Sequence, residues 1–492
     1  MSLILPGNVA SALPTGFNVD NSCRFNDGDS AYIYRDLGTS TAGSGKKFTF
    51  SVWVKRSTIS NTDQFILSCG VAASNHLVDL FFQSDDTLKA RLIYGNTLYG
   101  NLTTNAVYRD TASWMHIVIN MDTTQGTAAD RTSMYVNGTK ITSFSASTRP
   151  NQDSTFTVNN HTVNSQRISL GRNEDGTTGY FDGYMAEAIW IDGTTYAASN
   201  FGEYDEDSPQ IWIPKDCKDD LTFGTHGSYL NFQDSGDLDD DESGNGNDFT
   251  ATNLAATDQM TDTCTNNFAT INSLAIHNSS TFTLSEANLQ FATSSSTRGY
   301  WISTIAVSKG KWYFEYKCTN NQSRTCVGIA GAPAATNNDP ESGDHDNVTA
   351  YLTINGKISY NDNAGTDNYY NQATGSNNII IGCALDLTSS TNTIAFSIDG
   401  AWVTGSGTTS TDFANVLVND DFTNVSSTLN GQYFIIAGDD GGDQDIGGQI
   451  NFGNPPFSIS SGNADGNGYG NFEYAVPANY YSICTKNLAE YG

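Results

Sequence analysis

Apolar and polar residues alternate with period two along most of the chain, and turn dipeptides interrupt the alternation. In KKFTFSVWVKR (46–56) the alternation puts Phe48, Phe50, Val52 and Val54 on one face. In WMHIVINMD (114–122) it does the same for Met115, Ile117, Ile119 and Met121. Asn137-Gly138 in MYVNGTKI (134–141) accepts positive φ twice, the strongest short signal for a hairpin. The device recurs at Asn355-Gly356 in YLTINGKISY (351–360) and at Asp399-Gly400 in FSIDGAWV (396–403). No amphipathic helix longer than two turns stands out. The pattern predicts an all-β chain of two antiparallel sandwiches.

The alternation loosens between Phe201 and Asn266. FGEYDEDSPQIWIPKDCKDD (201–220) and FQDSGDLDDDESGNGNDFT (232–250) are acidic and rich in turn residues. The expected organisation is an N-terminal arm at 1–20, a sandwich at 21–200, an acidic connector at 201–265 and a second sandwich at 266–492. The first residues lack a basic region and Pro6 interrupts their apolar run, so they read as an arm and not as a signal peptide. No stretch approaches the ~18 consecutive apolar residues of a membrane helix.

Charge narrows the partners. The 23 Lys and Arg face 53 Asp and Glu, a net charge of −30. Such a chain is not expected to bind nucleic acid through a basic stripe or to insert into an anionic membrane. The eight cysteines are scattered and form no CxxC. Cys318 and Cys326 flank TNNQSRT and could face each other across a hairpin, bridged or as buried free thiols.

Four motifs in order, FTFSVWVKR (48–56), WMHIVINMD (114–122), MYVNGTKIT (134–142) and ISLGRNEDGTTGYFDGYMAEAIWIDG (168–193), resemble the laminin G-like branch of the concanavalin A-like lectin superfamily. The resemblance covers about residues 21–200 and implies a jelly-roll sandwich of two curved sheets. The second half, through KGKWYFEYK (309–317), CVGIAG (326–331), NNIIIGCALDLTSSTNTIAFSIDGAWV (377–403) and INFGNPPF (450–457), resembles the SPRY domain, another concanavalin-like sandwich. SGNGNDFTATNLAATDQMTD (243–262), TNNFATIN (265–272) and the final NYYSICTKNLAEYG (479–492) resemble segments of virion proteins from marine tailed bacteriophages.

These resemblances imply a non-enzymatic virion surface or structural protein, a fibre, tail or head-decoration component. Its partners would be other virion proteins and a host surface glycan or receptor, with a homotrimer as the expected assembly. It would be assembled in the host cytoplasm and released with the virion. A secreted glycan-binding lectin of a marine bacterium is the alternative, and a glucanase the third reading. Retaining glucanases of this superfamily need a carboxylate pair across the sugar. The nearest match is Glu203-Tyr-Asp205-Glu-Asp207, which departs from the E-x-D-x-E pattern and is expected in a turn with no strand around it.

No histidine pair has metal spacing, and His116 is expected as a packed strand residue. No cofactor is required; calcium is the one metal with candidate ligands. Asp239, Asp241 and Ser243 fit the first half of an oxygen-ligand loop, or a plain turn. Asp439 and Asp443 lie in a second acidic loop, and Asp182 is an ion ligand by the laminin G-like resemblance alone. For a sugar, which needs an aromatic platform with polar neighbours, the candidates are Tyr94, Tyr99, Tyr369, Tyr370 and Trp402. Tyrosines capping sandwich edges are the competing reading. Trp53, Trp114 and Trp312 read as strand packing.

Overall fold

A computed structural model describes residues 16–492 apart from 41–42, 60–61, 72–75, 157, 160, 175–177, 277–281, 294–298, 321–324, 332–347, 354–356, 361–367, 370–376, 389–391, 405–407, 414–430 and 440–444. Strand makes up 49% and helix 6%. The fold is all-β, in concanavalin A-like sandwiches of antiparallel sheets. The described residues divide into two compact units, one within 16–265 and one within 266–492.

In the first unit one sheet has Lys47–Arg56 at its centre, between Met115–Asp122 and Gly183–Asp192. The other sheet runs from Phe144–Thr148 through Thr87–Tyr94 and Gln64–Val71 to Thr250–Thr252. The predicted faces are the inner faces. Phe48, Phe50, Val52 and Val54 pack with Met115, Ile117, Ile119 and Met121 and meet Leu67, Val78 and Leu80 of the opposing sheet. Trp190 stacks on Phe48 at 5.0 Å between ring centres. The Asn137-Gly138 hairpin forms, with φ of 45° and 74°. A Cβ at Gly138 would stand 2.4 Å from the Trp212 ring, so this position needs glycine for contact as well as conformation.

Residues 201–265, expected as a connector, are built into this unit. Ser228–Leu230 pairs with Gly183–Asp192, Thr250–Thr252 with Tyr32–Ser40, and Gln259–Met260 with Ser22–Phe25. Phe201, Cys217, Phe223 and Tyr229 cover Val118, Ile189 and Ile191 on the outer face of the first sheet. The Val and Ile residues of that face are the reason it is covered: bare, they would leave apolar surface in water.

The second unit also has two sheets. One holds Gly299–Val307, Tyr433–Asp439 and Thr325–Ala330 as neighbours; the other centres on Lys311–Asn320 and Ile380–Asp386. Trp312 opposite Tyr481 belongs to one short parallel pairing. Glu315 is fully buried and accepts from the Tyr313 hydroxyl, the Asn451 amide and the backbone N–H of Glu473 and Tyr474. Cys318 and Cys326 sit in strands of different sheets, not across a hairpin, and both are buried free thiols. The Asp399-Gly400 turn joins paired strands; Asn355-Gly356 lies outside the described residues.

Candidate functional site

The strands Thr87–Tyr94 and Thr97–Val107 meet at a tight turn whose Gly95 and Asn96 have φ of 56° and 65°. The turn brings Tyr94 and Tyr99 edge to face at 6.3 Å. Both rings also lie edge-on to Phe156, at 6.4 and 6.1 Å. Phe156 belongs to the core, whereas Tyr94 is 42% exposed. The result is an aromatic surface at a sheet end, braced from below. Such a ring can take the C–H face of a sugar without reordering.

The other aromatic candidates do not join it. Trp402 is 5% exposed and packs at 4.7 Å on Phe413 within a buried cluster containing Tyr313 and Phe472. The turn before it directs the ring inward, so Trp402 is a core residue and not a platform. Tyr369 pairs with Lys357 in strand register, and Tyr370 lies outside the described residues.

Asp241 is 7% exposed, and its carboxylate accepts from the backbone N–H of Tyr229, Ser243 and Asn247 and from the Ser243 hydroxyl. These four bonds fix the turn after Ser228–Leu230. Asp239 accepts from Ala251 N–H at 2.6 Å. Asp182 is buried and takes the Thr58 hydroxyl. Asp439 ends the strand Tyr433–Asp439, and Asp443 lies outside the described residues. Among the described residues no set of three or more His, Cys, Asp and Glu side chains is arranged to hold a metal.

Glu203 lies in a strand, contrary to expectation: Gly202–Tyr204 pairs with Trp212–Pro214. Glu203 and Asp207 are exposed on this two-stranded ribbon.

His116 is packed, as its strand position suggested. Its ring stacks on Trp53 at 4.9 Å, and Trp212 Nε1 donates to its Nδ1 at 3.0 Å. An indole N–H only donates, so Nδ1 accepts and the proton sits on Nε2, which donates to Ser51 Oγ at 2.8 Å. Burial pushes the imidazole down to about 3, and it stays neutral.

One polar site had escaped the sequence reading. In Gly183–Asp192, Ala186 pairs with Trp53 and Ile189 with Ser51, so Glu187 and Ala188 together oppose Val52. This β-bulge holds Glu187 at φ 50°, a left-handed conformation that costs on the order of 1 kcal/mol outside glycine. Glu187 is 7% exposed, and Tyr229 Oη donates to its Oε2 at 2.5 Å. Burial, with a smaller push from Asp216, raises its carboxyl to about 7 despite the Tyr229 bond. It borders a cavity of about 290 Å³ together with Phe17, Asp20, Asp216, Asn231 and Glu242. The signal was a phase shift: Met185, Ala188 and Trp190 share the core face, which unbroken alternation forbids.

Residues 27–195 match the family described as the concanavalin A-like lectin/glucanases superfamily, and residues 311–418 match the SPRY domain. Laminin G-like, concanavalin A-like and SPRY domains are thus supported over these residues. Among solved structures it is similar to the SPRY domain of human HERC1, at 14% identity over 37% of this chain and 96% of that one, TM-score 0.27. It is similar to domains LG4-5 of the mouse laminin alpha1 chain, at 11% identity over 97% and 89%, TM-score 0.28. It is also similar to the CBM40 of a Ruminococcus gnavus IT-sialidase, bound to alpha2,3 sialyllactose, at 16% identity over 34% and 89%, TM-score 0.25. No curated protein matches the chain.

Proposed function

We propose that the chain is a non-enzymatic binding protein that docks glycans on the Tyr94–Tyr99 turn, as part of the surface of a tailed-phage particle. The observation that carries the glycan reading is the exposed Tyr94 ring braced on buried Phe156. The lectin-type superfamily match over residues 27–195 supports it. The particle setting rests on the likeness of 243–272 and 479–492 to phage virion segments.

Two measurements test the two parts. On a glycan array the chain should bind a subset of glycans, and Tyr94→Ala should weaken that binding at least about tenfold with the fold intact. Unchanged binding by the variant removes the turn as the site. Mass spectrometry of purified particles from producing cells should find the chain in stoichiometric amount; its absence there removes the particle setting and leaves the glycan reading standing.

A further inference from the structure

The Glu187 cavity belongs to residues 16–265 and lies apart from the Tyr94 turn in sequence and in its lining. We propose that it takes a small hydroxylated ligand through a protonated amine, with Glu187 and Asp216 as the anionic acceptors. The proposal goes beyond the glycan-docking reading and does not depend on it.

The lining is rich in acceptors and poor in positive charge. Asp20, Glu187, Asp216 and Glu242 contribute carboxyl groups; Lys218 is the one basic side chain of the described lining. Lys218 already bonds Glu242 at 3.3 Å, and Gln233 donates to the other oxygen of Glu242 at 2.7 Å. That leaves Asp20, Glu187 and Asp216 without a cation among the described residues. Glu187 is the most telling of the three. It is more than nine-tenths buried, it borders the cavity, and its Oε1 accepts no bond from a described residue. A buried acceptor facing an open space calls for a donor there. An ammonium supplies three donors and the compensating charge. Phe17 and Val19 provide an apolar wall for a carbon frame, and the Asn21 and Asn231 amides suit its hydroxyls.

The bulge gives the arrangement its geometry. Were Gly183–Asp192 regular, Glu187 would follow Met185 into the core, where no partner could reach it. The inserted residue turns it outward to Tyr229 and the cavity while Met185, Ala188 and Trp190 keep the inner face.

Several titratable groups face Glu187. Tyr229 donates to it from Ser228–Leu230; Asp216, Cys217 and Lys218 come from the segment before Leu221; Asp20 and Glu242 complete the rim. The tyrosine and the thiol are pushed up, by burial first, and stay neutral below about pH 9. Glu187 itself changes charge near neutrality, and a cation beside it favours the ionised form. Amine binding therefore strengthens as pH rises through the neutral range.

The test titrates the full chain with glucamine, an amino alditol, and with sorbitol, its neutral match, by calorimetry at about pH 6 and about pH 8. Glucamine should bind at least about tenfold tighter than sorbitol, and tighter at the higher pH. Glu187→Gln keeps the shape and the Tyr229 bond; it should weaken glucamine about tenfold and abolish the pH dependence. Asp216→Asn, on an exposed residue, should fold normally and weaken glucamine severalfold. Equal binding of sorbitol and glucamine overturns the proposal. So does glucamine binding unaltered in both variants, or no glucamine binding by a chain with a normal melting transition. Tyr94→Ala should leave glucamine binding unchanged, so a failed glycan reading does not count against the cavity.

Discussion

Lys55 Nζ and Asp262 Oδ2, 207 positions apart in sequence, meet at 2.7 Å with both side chains excluded from water. The other oxygen of Asp262 accepts from the Trp114 indole at 2.9 Å. The pair ties the central strand of the first sheet to the last turns of its covering segment. Removing one member leaves a buried charge, which costs about 3–5 kcal/mol. Asp262→Ala should lower the melting temperature of this unit by on the order of 10 °C in calorimetry. A shift below about 2 °C would show that water reaches Lys55 in solution.

His116 makes the fold sensitive to acid. Its folded pKa is about 3 against an unfolded value of about 6.5. Between those values the unfolded chain binds the extra proton, so stability is full above about pH 6.5 and declines as pH falls. From about pH 6.5 to 4.5 this group should account for a loss of about 2–3 kcal/mol. His116→Gln should flatten that part of the urea-unfolding profile; an unaltered profile would disprove the assignment.

Glu187 has the opposite sign. Its carboxyl is raised to about 7 in the fold, above its unfolded value of about 4.5. Between those values the folded chain binds the extra proton, so stability falls as pH rises through this window. Glu187→Gln should gain on the wild type between about pH 5 and pH 8, by on the order of 1–3 kcal/mol. A constant difference across that range refutes the raised pKa.

In the loop at 239–243, Asp241 is a structural carboxylate held by four donors. With four donors on it, Asp241 should be needed with or without calcium, and Asp241→Ala should cost about 2–4 kcal/mol in either condition. Asp237 and Asp239 remain crowded, and the Asp237 carboxyl is pushed up first by its hydrogen bond to Asp239. If that crowding takes up calcium, millimolar calcium should raise the melting temperature more than sodium at equal ionic strength, and Asp239→Asn should reduce the difference. Equal effects of the two salts would leave only diffuse screening.

The core was legible where its strands alternate without interruption: Phe48 to Val54 and Met115 to Met121 fall where period two puts them. The turn at Tyr94 and Tyr99 was legible because Gly95-Asn96 fixes a two-residue connection that brings its flanks together. Three features were hidden. The covering role of 201–265 is carried by scattered residues, Phe201, Trp212 and Phe223, in a segment whose acidic surface hides its apolar side. Trp402 follows a turn and looked exposed, but the residues that enclose it, Tyr313 and Phe472, come from distant parts of the chain. Glu187 was masked because one inserted residue restores the alternation on both sides of itself.

The pairing of Ser22 with Met260 also sets a clock. A ribosome adds about 5–20 residues per second, so the two strands are synthesised on the order of tens of seconds apart. Over that interval Trp53, His116 and Lys55 wait on an uncovered sheet face for Trp212 and Asp262 to emerge. A bare apolar sheet face invites association with other nascent chains, and the acidic stretch at 232–250 arrives before the sheet is sealed. Any delay before residue 260 would prolong the open state, because Ser22–Phe25 gains this neighbour only when Gln259–Met260 arrives.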